Sequence, residues 1–102
     1  MYVITYVIFM GRDSIADKIY EKYREKEEEG SHTWLILYDF NEVKPSTRFW
    51  DNLKRLQNKS EDSSLLQYSV FMTHDSRIAE AVADLVRYYD GDVLKFRGKL
   101  VP

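Results

Sequence analysis

The sequence predicts one small α+β domain in which a strand–helix–strand unit occurs twice, joined by a helix, with the helices packed on a four-stranded sheet. Three observations lead there. Runs of β-branched and aromatic residues alternate with stretches whose apolar residues recur every three or four positions. The 102 residues, 44% of them hydrophobic, suffice for one core but not for two. The stretch Tyr6 to Ser14 (YVIFMGRDS) also returns as Tyr68 to Ser76 (YSVFMTHDS). In each copy the stretch closes a predicted strand and opens a predicted helix.

Each element follows in order. Tyr2 to Met10 (YVITYVIFM) is apolar on both alternating faces apart from Thr5, as expected of a strand covered on both sides. Asp13 or Ser14 supplies a helix N-cap, since either side chain accepts a bond from a free helix N–H. The first helix carries the stripe Ile15, Ile19, Tyr20 and Tyr23. It runs to Glu27, Glu28 and Glu29 before Gly30, and three carboxylates at a helix C-terminus oppose its dipole, so the last turn is expected to fray.

Trp34 to Phe40 (WLILYDF) is a second, nearly all-apolar strand, followed by a loop through Pro45. Ser46 or Thr47 caps a second helix whose stripe is Phe49, Trp50, Leu53 and Leu56. Arg48, Lys54, Arg55 and Lys59 occupy its other face. A polar loop then leads to a third strand, Leu65 to Met72 (LLQYSVFM). Asp75 or Ser76 caps a third helix with the stripe Ile78, Val82, Leu85, Val86 and Tyr89, and Gly91 is expected to supply its left-handed end. The last strand, Val93 to Val101, sets Leu94, Phe96 and Leu100 on one face. Lys95, Arg97 and Lys99 fall on the other, which reads as the solvated side.

The repeat assigns residues 1–40 and 65–101 to the two units and residues 46–59 to the linking helix, all within one domain spanning 1–102. The expected architecture has a pseudo-twofold axis, and a ferredoxin-like arrangement is its nearest relative. That template leaves no place for the middle helix. It also makes the third strand central, whereas the second has the more buried pattern.

Composition narrows the function. With no cysteine, disulfides, thiolate metal sites and cysteine nucleophiles are excluded. A net charge of −2 gives no overall basic field for phosphates. The apolar start lacks a basic n-region and a cleavage site, and is too short to span a bilayer, which takes about 20 residues. High charge with few amides fits the habits of hyperthermophile proteins.

Asp39, an acid closing an apolar strand, resembles the strand-end aspartate of small CRISPR-associated metal-dependent nucleases. In that family the strand opens the chain, whereas here a strand and a helix precede it. The co-ligand candidates Asp13, Asp75, Asp90 and Asp92 have capping or turn roles. His32 and His74 lack a second ligand at metal spacing, and neither a hydroxyl–histidine–acid motif nor a glycine-rich phosphate loop is present. No catalytic residue, metal site or cofactor is expected. Lys95, Arg97 and Lys99 are the candidates for an alternative reading, a nucleic-acid-binding accessory protein.

Along MYVITYVIFMGRDS at the start and YYDGDVLKFRGKLVP at the end, the chain resembles the small orphan proteins of filamentous viruses that infect hyperthermophilic archaea such as Acidianus. The resemblance implies expression in a host cytoplasm and brings no catalytic residues. The leading expectation is therefore a non-enzymatic protein–protein interaction module without a membrane partner. It would take an extended peptide in a groove between the repeated units, with Tyr6, Tyr38 and Tyr68 as candidate contacts.

Overall fold

The computed structural model describes residues 14–26, 32–41 and 44–102. Its elements, in chain order, are α1 (Ile15–Glu21), β1 (Thr33–Asp39), α2 (Thr47–Gln57), β2 (Ser63–Gln67), β3 (Val70–Thr73), α3 (Ser76–Tyr88) and β4 (Asp92–Gly98). The strands form one antiparallel sheet in the order β2-β3-β1-β4. The α+β class and the four-stranded sheet with helices packed on it are as the sequence predicts. The expected first strand, Tyr2 to Met10, and with it the first copy of the repeated stretch up to Asp13, lies outside the described residues.

The strands that make the sheet differ from those expected. Leu65 to Met72 is not one strand but two, broken by a turn at Tyr68-Ser69. Leu65 pairs with Phe71 and Gln67 with Val70, so Leu66 is the extra residue of a bulge beside the turn. The Tyr38 amide then donates to the Ser69 carbonyl at 3.0 Å, tying the turn to the end of β1.

This split removes two difficulties of the sequence reading. The middle helix, α2, connects β1 to β2, with β3 lying between those strands. In the same way α3 connects β3 to β4, with β1 between them. Both β1 and β3 are central, so no conflict remains over which strand is buried.

Helix α3 lies across β1, β3 and β4, α2 lies beside it over β2, and α1 packs on α2 and α3 rather than on the sheet. The expected stripes point inward: Ile19, Phe49, Leu53, Leu56, Ile78, Val82, Leu85 and Val86 are all buried. Because α3 has neighbours on several sides, Ala79, Ala81 and Ala83 are buried as well. Phe49 sits among the rings of Tyr38, Phe40, Trp50 and Tyr89, at centroid distances of 4.7–5.8 Å and edge-on angles.

Capping follows the sequence with two refinements. Ser14 and Ser46 cap α1 and α2 by accepting from Asp17 N and Phe49 N. Asp75 caps α3 by accepting from Arg77 N at 2.9 Å, and Ser76 is the first helical residue. At the far end, Asp90 rather than Gly91 takes the left-handed conformation, with φ 65°. Gly91 is needed for a different reason. A Cβ there would lie 2.7 Å from Val86 Cγ1 and 2.8 Å from a Phe40 ring carbon. Helix α1 stops at Glu21 and continues as turns to Lys26, short of the expected Glu29.

Asn52 is a buried polar residue that the stripe analysis passed over. Its Oδ1 accepts from Ala16 N at 2.9 Å, and its Nδ2 donates to Arg48 O at 2.7 Å and to Tyr89 Oη at 3.3 Å. It thereby satisfies one free N–H in the first turn of α1 and fixes that helix against α2.

Candidate functional site

The pairing of β1 with its two neighbours decides what each face of the sheet presents. Residues directly opposite on antiparallel strands share a face. Leu35 lies opposite Phe96 and Met72, and Leu37 lies opposite Leu94 and Val70. These six side chains therefore share a face. The other face carries Ile36, Tyr38 and Phe71, which are buried beneath the helices.

The position of Lys95 identifies the covered face independently. Its Nζ lies 2.6 Å from Glu80 Oε1 on α3, so the basic face of β4 is turned toward the helices. Arg97 follows on the same face, its guanidinium 5.7 Å from the Trp34 ring centroid. Lys99 lies beyond the strand's end. The sequence reading had this face reversed. The apolar residues look away from the helices, and Leu94 and Phe96 are 61% and 53% exposed. The long lysine and arginine stems reach polar and aromatic partners along the helix layer.

Along the β1–β4 seam the open face carries two hollows. One, of about 580 Å³, is lined by Leu37, Asp39, Val70, Asp92 and Leu94 among others. The second, of about 150 Å³, lies near the other end of the seam beside Leu35, Phe96 and Leu100. Asp39 and Asp92 stand directly opposite each other at the rim of the larger one. Asn41, at φ 56°, bridges them. Its backbone N–H donates to Asp39 Oδ1 and its Nδ2 to Asp92 Oδ2, both at 2.9 Å. Two donors thus offset a like-charge contact that is unfavourable by itself.

The pair of acids bears on the resemblance of Asp39 to the strand-end aspartate of the metal-dependent nucleases, the third reading of the sequence after the interaction module and the nucleic-acid-binding protein. Of the co-ligand candidates, Asp13 lies outside the described residues. Asp75 is held by Arg77, and Asp90 occupies the turn after α3. Only Asp92 adjoins Asp39, and among the described residues no group of three or more His, Cys, Asp or Glu is placed to hold a metal. His74 Nδ1 lies 3.1 Å from Thr33 Oγ1, whereas His32 Nδ1 is buried without a partner among the described residues.

Of the candidate tyrosines, Tyr6 lies outside the described residues, while Tyr38 and Tyr68 come together at a third hollow. Tyr68 is not on a strand as expected but in the β2–β3 turn, 80% exposed, with its ring 5.9 Å from that of Trp50. Tyr38 is only 5% exposed, and its hydroxyl has no hydrogen-bond partner among the described residues. Burial pushes its phenol well above the usual range. The two rings line a hollow of about 280 Å³ together with Trp50, Lys44, Pro45 and the Asp39–Asn41 segment. Trp50 was legible as part of a helix stripe; that it would meet Tyr68 depended on the unrecognised turn.

Three of the basic residues expected on the second helix and on β4 are paired with acids. Lys59 and Arg55 lie 2.8 and 4.0 Å from Asp17, and Lys95 pairs with Glu80. Among the described residues no helix is long and apolar enough to cross a membrane. No protein-family model, curated protein or solved structure matches the chain.

Proposed function

We propose that this chain is a non-enzymatic protein–protein interaction module that receives an extended peptide, or a segment of a partner protein, along the β1–β4 seam. The observation that carries this reading is the apolar sheet face, free of helices among the described residues, on which Leu94 and Phe96 stand exposed beside Leu35 and Leu37. Contiguous apolar surface rimmed by polar groups marks an interaction site more often than scattered apolar residues do.

The repeat read from the sequence supports this choice of seam. The described part of the first unit is α1 with β1, the second unit holds the end of β2, β3, α3 and β4, and the closing strands of the two units, β1 and β4, pair side by side. The seam is thus the crease between the units. A segment with apolar residues at alternate positions would cover Leu37 and Leu94 at one end and Leu35 and Phe96 at the other. The outer edge of β4, with no strand neighbour among the described residues, offers backbone N–H and C=O groups for strand addition. No catalysis or cofactor enters this reading. The resemblance to archaeal-virus proteins puts the action in a host cytoplasm.

A random peptide library screened against the whole chain, with binders mapped by NMR shifts, tests it. Binders of micromolar affinity that shift Leu37, Leu94 and Phe96, and are lost in Leu94→Asp, are expected. Binding weaker than millimolar throughout, or binders confined to the Lys95–Lys99 side, would end the proposal.

A further inference from the structure

We infer that the segment received on the β1–β4 seam carries a lysine or arginine two positions from its apolar residues, and that Asp39 and Asp92 hold this cation. The inference rests on the seam reading and adds the chemistry of its occupant.

The open face along the seam is arranged in rows. Ile36 and Tyr38 are buried beneath the helices, so by alternation Leu35, Leu37 and Asp39 belong to the open face. Their partners on β4 are Phe96, Leu94 and Asp92. The seam therefore runs from one apolar row, Leu35 with Phe96, through a second, Leu37 with Leu94, to an acidic row, Asp39 with Asp92. Successive rows are two residues, or about 7 Å, apart. An extended segment has the same spacing between side chains on one of its faces, so each row meets one side chain of the segment.

Charge decides which side chain meets the last row. Among the described residues Asp39 and Asp92 are the only charged groups lining the larger hollow, and both are exposed. Asn41 engages one oxygen of each. Among the described residues no ion pair includes either acid, whereas Asp17, Asp75 and Glu80 each hold a basic partner. Lys44 shares the neighbouring hollow with Asp39 but does not line the seam. Carboxylates directly opposite each other repel. A cation between them relieves that contact, and its aliphatic stem lies along Leu37 and Leu94. A neutral side chain leaves the repulsion as it was, and a carboxylate adds to it. The charged residues lining the smaller hollow at the far end are Arg97 and Lys99. A cation is therefore disfavoured there, which fixes where along the seam the segment places it.

The test uses the peptide Lys-Thr-Leu-Thr-Leu-Thr, blocked at both ends, and two counterparts with Gln or Glu in place of the lysine. Each is titrated into the whole chain while the NMR signals of Leu37 and Leu94 are followed. The lysine peptide should bind about fivefold more tightly than the glutamine peptide, the gain expected of two solvent-screened ion pairs. The glutamate peptide should bind most weakly. At 1 M salt, where screening acts over about 3 Å, the gap between lysine and glutamine should close. A chain carrying both Asp39→Asn and Asp92→Asn should bind these two peptides equally, and its melting temperature should not fall, because a like-charge contact has gone. If the parent chain binds the lysine and glutamine peptides equally, the inference is overturned and the seam reading stands. A lysine preference that survives in the double variant has the same consequence. If none of the three peptides binds at millimolar concentration, both fall.

Discussion

Strands β1 and β4 pair along their whole length, from Thr33 with Gly98 to Asp39 with Asp92, yet their apolar residues meet opposite fates. β1 has a strand on each side and helices over one face, so Ile36 and Tyr38 are 0% and 5% exposed. β4 has a single strand neighbour among the described residues, and it turns Leu94 and Phe96 toward solvent and Lys95 toward α3. Alternation separates the two faces of a strand. Which face is covered depends on elements far away in the sequence. In β4 the charges, and not the leucine and phenylalanine, mark the covered side.

The most severe test of this contrast removes one phenylalanine from each kind of strand. Phe71 in β3 is fully buried and Phe96 in β4 is 53% exposed. Phe71→Ala should cost about 3–5 kcal/mol through lost burial and the cavity left behind. Phe96→Ala should cost no more than about 0.5 kcal/mol, as at most surface positions. Urea melts of the two variants give both numbers, and equal losses would mean that the Leu94–Phe96 face is covered in solution.

The two glycines that bound β4 sharpen the same contrast at its ends. A Cβ at Gly91 would press into Val86 and Phe40, whereas one at Gly98 meets nothing within 4 Å. Gly91→Ala should therefore destabilise by about 1–3 kcal/mol, the usual range for overpacking a filled core. Gly98→Ala should leave the thermal midpoint where it was. A neutral Gly91→Ala would require the end of α3 to shift away from Phe40.

The fold was legible where one residue type has one physical role. Helix stripes and N-caps at Ser14, Ser46 and Asp75 could be read because amphipathic spacing and side-chain capping are local properties. The β2–β3 turn was hidden for a local reason too. Tyr68-Ser69 contains none of the glycine, asparagine or aspartate that tight hairpin turns favour, so Leu65 to Met72 read as one unbroken strand. The candidate site was less legible. Asp39 and Asp92 are far apart in the chain and meet only through strand register. Tyr38 was named from its strand position, but its unpartnered hydroxyl is a property of packing. Asn41, the first residue of the predicted loop, was the one available signal, since asparagine tolerates the positive φ that lets it bridge both acids.

A smaller effect is expected at the cap of α3. Asp75 is buried, which by itself raises a carboxyl pKa, but the bonds from Arg77 outweigh that and hold it below the usual 3.8. A folded pKa below the unfolded one stabilises the fold above the unfolded value, and that contribution is lost as the pH falls through the folded one. Asp75→Ala should cost about 1 kcal/mol near neutral pH, and the gap from the parent chain should narrow below pH 3.8. Thermal melts across that range check both parts. A gap that widens on acidification would show that the charge of Asp75 is unfavourable in the fold.

The smallest effect tests the face assignment most directly. If Lys95 faces the helices, its pair with Glu80 at 2.6 Å should be detectable as a coupling between β4 and α3. Both side chains are partly open to solvent, 28% and 34% exposed, so the pair should contribute at most about 1 kcal/mol. A double-mutant cycle with Lys95→Met and Glu80→Gln isolates that coupling from the changes each substitution makes separately. At 1 M salt, where screening acts over about 3 Å, the coupling should fall toward zero while the burial of Ile78 and Val82 on the same helix is unaffected. Had β4 turned its basic face outward, as its alternation alone suggests, Lys95 and Glu80 would be too far apart to couple at any salt concentration. A coupling that is measurable at low salt and lost at high salt therefore supports the face assignment, and a cycle that gives zero at low salt would leave the strand's orientation resting on its register with β1.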